Sequence, residues 1–585
     1  MRRALRRAAA AGGLLACLGA DASPAAEAPR RLLCYVAMAD GARLPYVVYL
    51  PAAEGRYPVL LIYDPYAGGG ARPAVASEFL DEGYAVMSAS LRGTGCSAGQ
   101  HEFQSPSIGA DGAALVEWAA AQPWSDGNVG MFGNSYPGMT PLLVAGARPK
   151  HLRALAVGAS VSTLYDDIFY PGGIFNYGQA AIWTWLIQPR SSEQGAAQRT
   201  REGDAKCAEL RARQTPQRMF DELRAHPLRD AWWQERSVLP HAARIEVPVL
   251  LFHAWQDQQI AVSAAVELFH EIRAPKRLVL SNGGHSFYGQ GPAQAALRRR
   301  WFERWLKGVR NGVDEEPAVS VLFENRKLDE EWRPGWTWSF PGWPGEATSW
   351  LELSLTADGK LRTGGEPLPA EAGERAYVFP LGTELVGDSA AFQARPSPAG
   401  TLAYRGEPLS EDTAVLGAPE VVLYLSSELA DTDVMLALHD VSPAGEVLYV
   451  QRGFLRASHR ETRAAAAWGG RPRATHERAE PLSPGEVREL RAALYPVGHV
   501  FRRGHSIELL VLSPPSVPSP NWAFAVAAAP GRNRVHHGPA APSRFSLPVL
   551  RHRSAEAPAP ACGSLELQPC WSPPRSGVAR GVSRP

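Results

Sequence analysis

Two serines compete for one role. Residues 91–99 read LRGTGCSAG, and Gly95-Cys96-Ser97-Ala98-Gly99 is a literal G-x-S-x-G. Further on, residues 131–140 read MFGNSYPGMT, with Ser135 between Gly133 and Gly138. A serine hydroxyl is a weak nucleophile at neutral pH. It needs an imidazole to take its proton and an acid to orient that imidazole. Asp257 in VPVLLFHAWQDQQI and His285 in RLVLSNGGHSFYG follow Ser135 in the order Ser, Asp, His, and each lies just past an apolar run. Such a set performs acyl transfer, attacking the carbonyl of an ester or amide. His253 lies inside its apolar run and reads as a packed core residue.

The attack also needs donors for the oxyanion. The amide of Tyr136, next to Ser135, is one. The loop after VLLIYDP offers the second, either the Tyr66 hydroxyl or a backbone amide of the stretch that continues with Ala67 and three glycines.

Context separates the serines. The nucleophile must sit on a tight turn directly between a strand and a helix, with small neighbours where the two cross. Ser97 is separated from its strand YAVMSAS by LRGTG. The stretch after it, QHEFQSPSIGAD, carries Pro106 and Gly109, so no helix is expected to start there. Ser135 has VGMFG leading in and YPGMTPLLVAGAR leading out as a helix, with Pro137 in its first turn. Ser135 is therefore the candidate nucleophile.

The elements that position these residues follow an α/β pattern. YVVYL, YPVLLIYDP, YAVMSASLR, NVGMFGNS, LRALAVGAS, VPVLLFHAW and KRLVLSNGG read as strands, and GAALVEWAAAQ as one of the helices between them. Nearly continuous apolar strands alternating with helices imply a parallel sheet covered on both faces. The gap at 161–240 is rich in Trp, Gln, Arg and Ala and reads as a helical cap; RTREGDAKCAELRARQ is one of its helical stretches. The core then comprises 29–160 and 241–334. From 335 to 552, short strands such as DVMLALHDV and SIELLVLS predict an antiparallel β-sandwich, and 553–585, rich in Pro, Ser and Arg, predicts a disordered tail.

The chain has 585 residues, 45% hydrophobic and 20% charged, which fits roughly two or three packed units. A net charge of +1 carries no electrostatic footprint for nucleic acid. No apolar run after the N-terminus is long enough for a membrane span. At that N-terminus, Arg2, Arg3, Arg6 and Arg7 precede an apolar stretch from Ala8 to Ala20 and an Ala20-Asp21-Ala22 cleavage pattern. Residues 1–28 thus read as a signal peptide for export to the periplasm or beyond. LLAC ending at Cys17 also matches a lipoprotein box, with Cys17 as a lipid anchor point. Export exposes the cysteines to oxidation. Cys562 and Cys570 are close enough in sequence for a small disulfide loop, and Cys96 with Cys207 would staple a loop to a distant segment; buried free thiols are the alternative for both pairs.

The motifs RGTGCSAG, DGAALVEWAAAQPWSDGNVGMFGNSYPG, DPY, WQD, GGHS and RWLKGV together resemble the CocE/NonD hydrolases. That group includes cocaine esterases, α-amino-acid ester hydrolases, glutaryl-7-aminocephalosporanic acid acylases and X-Pro dipeptidyl peptidases. DTDVMLALHDVSPAGEVLYV, GFLRASHRET, PLSPGEVRELRAALYPVGHVFRRGHSIELLVLS and HHGPAAPSRFSLPV are similar to the family's jelly-roll domain. The resemblance implies an α/β-hydrolase core, an inserted helical cap and a C-terminal jelly-roll, galactose-binding-like β-sandwich. It implies Ser135, Asp257 and His285 as the triad, and the Tyr66 hydroxyl with the Tyr136 amide as the oxyanion hole. Many members have Tyr where this chain has Gln256, so Gln256 is expected to alter substrate contacts. RGTGC with EGDAKC is similar to a secreted branch, which favours a Cys96–Cys207 bridge.

The function expected is an exported serine hydrolase acting on a small ester, amide or short peptide, with no metal or organic cofactor. An X-Pro exopeptidase is the nearest alternative, and it would need a carboxylate for the substrate's ammonium; Asp166, Asp167 and Glu202 are the cap candidates. A carbohydrate-binding or adhesion protein with a dead hydrolase core is the alternative of another class.

Overall fold

Strands apolar on both faces must be covered on both sides, and this requirement sets the architecture. The computed structural model describes residues 18–19, 30–66, 73–289, 291–344, 348–363, 373–381, 383–385, 394–465, 471–515, 523–527 and 529–572. Cys17, nearly all of the expected leader, the loop from Ala67 and the end of the tail lie outside the described residues.

Eleven of the described strands form one sheet, in the order β1 (Leu18–Gly19), β2 (Arg30–Ala37), β3 (Arg43–Leu50), β5 (Ala85–Ser90), β4 (Tyr57–Asp64), β6 (Ser125–Asn134), β7 (Leu152–Gly158), β8 (Val249–Ala254), β9 (Lys276–Ser281), β10 (Val319–Phe323) and β11 (Trp336–Phe340). Strands β4 to β10 run parallel, with antiparallel strands at both edges. Among the helices covering the sheet are α1 (Pro73–Leu80), α2 (Pro106–Ala120), α3 (Tyr136–Gly146) and, later in the chain, Ser263–Glu271 and Gly291–Leu306. Tyr66, Ser135, Asp257 and His285 all follow the C-terminal ends of parallel strands, where an open α/β sheet presents its ligand crevice. Strand β11 lies past the expected boundary at 335 yet pairs with β10, so the hydrolase sheet extends to Phe340.

Helix α2 corrects one expectation: a helix does begin in the polar stretch after Ser97, at Pro106. Proline is well suited to a first helical position because its missing N–H would have no partner there. Gly109 is not a breaker either. A Cβ there would come 3.0 Å from the Leu143 carbonyl oxygen of α3, so the glycine lets the two helices touch.

The cap fills the interval between β7 and β8. It contains α4 (Tyr177–Ile182), a π-helical turn at Trp183–Ile187, α5 (Gln188–Arg201), α6 (Lys206–Arg211) and three shorter helices, Met219–Ala225, Ala231–Glu235 and Leu239–Ala242. The single helical stretch expected around 199–214 is broken between α5 and α6. There the buried Arg199 turns back, its Nε donating to Asp204 Oδ2 at 2.8 Å and its Nη1 to the Tyr46 carbonyl of β3 at 2.9 Å. Arg199 thereby anchors the cap to the sheet. A disulfide joins Cys96, in the loop after β5, to Cys207 in α6, and both are fully buried.

Beyond Phe340 the chain forms an almost entirely antiparallel β-sandwich whose paired strands run from Thr348 to Trp571. Two of its strands bear on the site: β12 (Val447–Arg456) and β13 (Cys570–Trp571). The second corrects the expectation of a disordered tail over 553–585 for its described part, 553–572. Trp338 Nε1 donates to Glu556 Oε1 at 2.6 Å, a Cys562–Cys570 disulfide closes a loop, and β13 pairs with Val447–Leu448. Composition missed this because a short segment can be held by main-chain pairing and a cross-link with few apolar side chains. Among the described residues no cysteine is free.

The Cys96–Cys207 bridge spans 111 residues of sequence. Replacing both cysteines by serine (C96S/C207S) is expected to cost about 2–5 kcal/mol of unfolding free energy, measured by urea denaturation. An unchanged midpoint would show that the cap does not depend on the cross-link.

Candidate active site

Ser135 is the only residue between β6 and α3, and its backbone has φ 64° and ψ −132°. Such a conformation costs a non-glycine residue about 1–3 kcal/mol and persists only where its surroundings enforce it. Here the Ser135 N–H donates to the Gly158 carbonyl at 3.0 Å, and the Ser135 carbonyl accepts from Gly138 N–H at 2.7 Å and Met139 N–H at 2.9 Å. The crossing leaves no room for side chains: a Cβ on Gly133 would lie 2.4 Å from Pro137 Cβ, and one on Gly138 would lie 2.4 Å from the Gly158 oxygen. Ser97 has none of this. It is fully buried, and its carbonyl accepts from Gln214 Nε2 at 2.8 Å within the disulfide-tied loop.

Asp257 and His285 meet. His285 Nδ1 lies 3.0 Å from Asp257 Oδ2 and 3.1 Å from Oδ1. The Asp257 carboxylate also accepts the N–H groups of Gln259 at 2.8 Å and Ile260 at 3.1 Å. Burial pushes this carboxyl up, but the charge of His285 and hydrogen bonds from His253 and His285 outweigh it, and the group stays well below the ordinary carboxylate range. An ionised acid accepts only, so Nδ1 donates to it; in the neutral ring the single proton sits on Nδ1 and Nε2 keeps its lone pair. On the other side, Asn134 Nδ2 donates to the His285 carbonyl at 2.8 Å, which ties Ser135's neighbour to the histidine loop.

His253 is buried, as its place in a strand suggests, yet it is not only a core residue. Its Nε2 stands 3.4 Å from Asp257 Oδ2, giving the acid a second imidazole. The signal was its position four residues before Asp257 at the end of a strand.

Tyr66 is half-buried at the end of β4. Its N–H donates to Asp64 Oδ1 at 2.7 Å, and its hydroxyl oxygen accepts from Trp183 Nε1 at 3.0 Å. Trp183 also stacks on Tyr136, with ring centroids 5.5 Å apart and planes 13° from parallel, and meets Phe103 edge-on at 4.7 Å. Phe103, Tyr136, Phe169 and Trp183 form a buried aromatic cluster that reaches the Tyr66 hydroxyl through Trp183. The Tyr136 hydroxyl lies 3.0 Å from His101 Nε2, and His101 in turn packs on Trp183. The Tyr136 main-chain N–H, at the first position of α3, lacks an intrahelical acceptor, as helix N-termini do.

Gln256 requires a correction. It is buried, and instead of contacting substrate it joins three segments. Its Nε2 donates to the Val450 carbonyl of β12 at 2.9 Å, and its Oε1 accepts Gly283 N–H at 3.2 Å. Gln451 Nε2 donates to the Trp255 carbonyl at 2.8 Å and Arg452 Nη2 to the Asp257 carbonyl at 2.8 Å. The sandwich therefore holds the acid loop through three consecutive residues of one strand.

The three cap carboxylates that the sequence offered for an ammonium are engaged. Asp166 pairs with Arg229 at 3.3 Å, Asp167 accepts the amides of Ser162 and Thr163, and Glu202 pairs with Arg31. Burial, and then the charge of Glu267, push the Asp167 carboxyl up.

A parallel sheet with an inserted cap, a strained serine between strand and helix, and a C-terminal sandwich define a serine hydrolase of the α/β-hydrolase class. Residues 40–287 match the family model of the X-Pro dipeptidyl-peptidase (S15 family), and residues 311–545 match that of the X-Pro dipeptidyl-peptidase C-terminal non-catalytic domain. The chain belongs to this family of CocE/NonD serine hydrolases. It is 27% identical to cocaine esterase of Rhodococcus sp. (strain MB1 Bresler) over 584 residues, 88% of this chain and 98% of that protein. It is 23% identical to the Xaa-Pro dipeptidyl-peptidase of Lacticaseibacillus rhamnosus over 357 residues, 53% of this chain and 42% of that one. Among solved structures, a CocE/NonD family hydrolase from Staphylococcus aureus superposes with a TM-score of 0.73 at 21% identity, covering 89% of this chain and 94% of that one. An α-amino acid ester hydrolase superposes with a TM-score of 0.70 at 22% identity, covering 90% and 98%.

Two outcomes follow from the buried groups. Replacing Gln256 by Leu leaves the Val450 carbonyl and Gly283 N–H unpaired, and urea denaturation is expected to show a loss of about 1–3 kcal/mol for each. Burial pushes the His101 imidazole down to about 3. The unfolded chain takes up that proton first, so the stability contributed by the neutral ring is full above about pH 6.5 and declines as pH falls towards the folded value, by about 2 kcal/mol at pH 5. H101Q keeps an acceptor for Tyr136 without titrating. Its unfolding free energy should fall by about that much less than the wild type's between about pH 7 and pH 5; equal losses would contradict the assignment.

Proposed function

We propose that this chain hydrolyses esters or amides with an uncharged, apolar acyl group, through Ser135, His285 and Asp257 and a covalent acyl-enzyme. The observation that carries the reading is the buried, ionised Asp257 hydrogen-bonded to His285, on a loop fastened to the residue beside the strained Ser135. His285 Nε2 takes the Ser135 proton as the alkoxide oxygen attacks the carbonyl carbon. The Tyr66 hydroxyl and Tyr136 amide receive the developing oxyanion. His285 returns the proton to the leaving alcohol or amine, and a water molecule repeats the sequence on the acyl-enzyme. The apolar, uncharged surroundings of Tyr66, a buried aromatic cluster that touches its hydroxyl through Trp183, support the choice of acyl group.

An X-Pro dipeptidyl peptidase reading draws on the S15 match. It is the weaker reading, because the three cap carboxylates offered by the sequence for an ammonium are already bound to other partners. A binding protein with a dead core leaves the Asp257–His285 pair without purpose. We also read the chain as exported; the two disulfides among the described residues support an oxidising compartment. Cell fractionation tests this, and an enzyme retained in the cytoplasm would refute it.

Wild-type protein should take a fluorophosphonate label at Ser135 and hydrolyse p-nitrophenyl esters, and S135A should do neither; hydrolysis by S135A would end the assignment. Y66F should lower kcat by roughly 100- to 1,000-fold, about 3–4 kcal/mol in the barrier, with KM little changed.

A further inference from the structure

The C-terminal strap, residues 553–572, lies outside the family models, the second of which ends at residue 545. It nevertheless reaches the catalytic loop. Leu567 has a φ of 54°, the left-handed region that a leucine rarely occupies. In that conformation its side chain lies on Gly284: a Cβ there would come 2.2 Å from Leu567 Cδ1 and 3.0 Å from Gln258 Oε1. Gln258 Oε1 in turn accepts the His285 N–H at 3.2 Å. Leu567 and Gln258 thus both crowd the position that a Cβ on the residue before His285 would take, and a larger residue there would push them aside.

The strap is fastened close to this contact. The Cys562–Cys570 disulfide encloses Leu567, Gln568 Nε2 donates to the Tyr449 carbonyl at 3.2 Å, and the Pro569 carbonyl accepts Tyr449 N–H at 3.0 Å. The Tyr449 hydroxyl accepts from Arg452, the residue that donates to the Asp257 carbonyl. The strap therefore bears on both the base loop and the acid loop. Cys562 and Cys570 are partly exposed, whereas Cys96 and Cys207 are fully buried, so a soluble reductant meets the strap's bridge first.

We propose that Leu567 is a positioning residue for His285 and that the Cys562–Cys570 disulfide is the clasp that keeps it engaged, so that hydrolysis by this chain depends on that bridge. The inference rests on His285 acting as the base in the function proposed above. A dithiol would convert the bridge to two thiols and itself become a cyclic disulfide, freeing the loop that carries Leu567.

The test uses the full chain with L567A, L567M and C562S/C570S, each assayed on p-nitrophenyl butyrate per fluorophosphonate-titrated site, with thermal unfolding alongside. L567A and C562S/C570S should lose about tenfold or more in kcat, with KM little changed, because a small displacement of a catalytic group costs rate rather than ground-state binding. The rate of fluorophosphonate labelling should fall with it, since phosphonylation needs the same base. L567M should retain most of the activity. A kcat per titrated site equal to wild type in both L567A and C562S/C570S overturns the proposal, as does a loss that only tracks unfolded protein. If S135A still hydrolyses the ester, the site assignment falls and takes this proposal with it. If S135A is dead and the strap variants match wild type, the strap proposal alone falls.

Discussion

A carboxylate must stay charged where water cannot reach it. Asp257 is 2% exposed, and an ion in that position is tolerated only when several donors converge on it. Two main-chain amides and the His285 imidazole supply them, and the His253 ring, whose Nε2 also meets the Ile260 carbonyl, stands 3.4 Å away. The rest of the fold can be understood as the means of keeping those donors in place. Strand β8 delivers His253 and then Asp257, β9 delivers the turn that presents His285, and β6 fastens Asn134, the residue before Ser135, to the His285 carbonyl.

The sandwich has a direct part in this. Residues Val450 to Arg452 of β12 meet residues Trp255 to Asp257 one for one, through carbonyl, amide and guanidinium groups that are all buried. Buried polar groups cost stability unless each is satisfied, so a network of this kind admits few alternative geometries. The domain called non-catalytic in the matched family thus fixes the backbone of the acid, although none of its side chains is a candidate for the chemistry.

Much of this was legible in the sequence, for identifiable reasons. The sheet could be read because its strands are long apolar runs separated by helical periodicity. Ser135 could be preferred to Ser97 because only Ser135 has a strand ending and a helix beginning on either side of it. What escaped were features that depend on partners distant in sequence. Gln256 looked like a substrate contact because many relatives have Tyr in its place, and nothing local announces Val450 or Gly283. His253 looked purely structural because the four-residue offset to Asp257 becomes a contact only after the chain bends out of β8. The strap looked disordered because composition counts apolar side chains and not sheet edges, and β13 is held by the edge of β12. Pro106 looked like a stop when it is a start, since one residue type serves both ends of the helix grammar.

The hydrogen bond from Trp183 to Tyr66 crosses from the cap to the core. A phenol oxygen that accepts from a fixed indole has less freedom in where its own hydrogen can point. The direction of a group in the core is therefore written partly in an inserted segment that could otherwise be regarded as an exchangeable lid. Grafting another relative's cap onto this sheet would transplant a different donor, or none, and with it a different aim for the phenol. Cap and core in such hydrolases should accordingly diversify as a matched pair, which limits how freely new specificities can be assembled from parts.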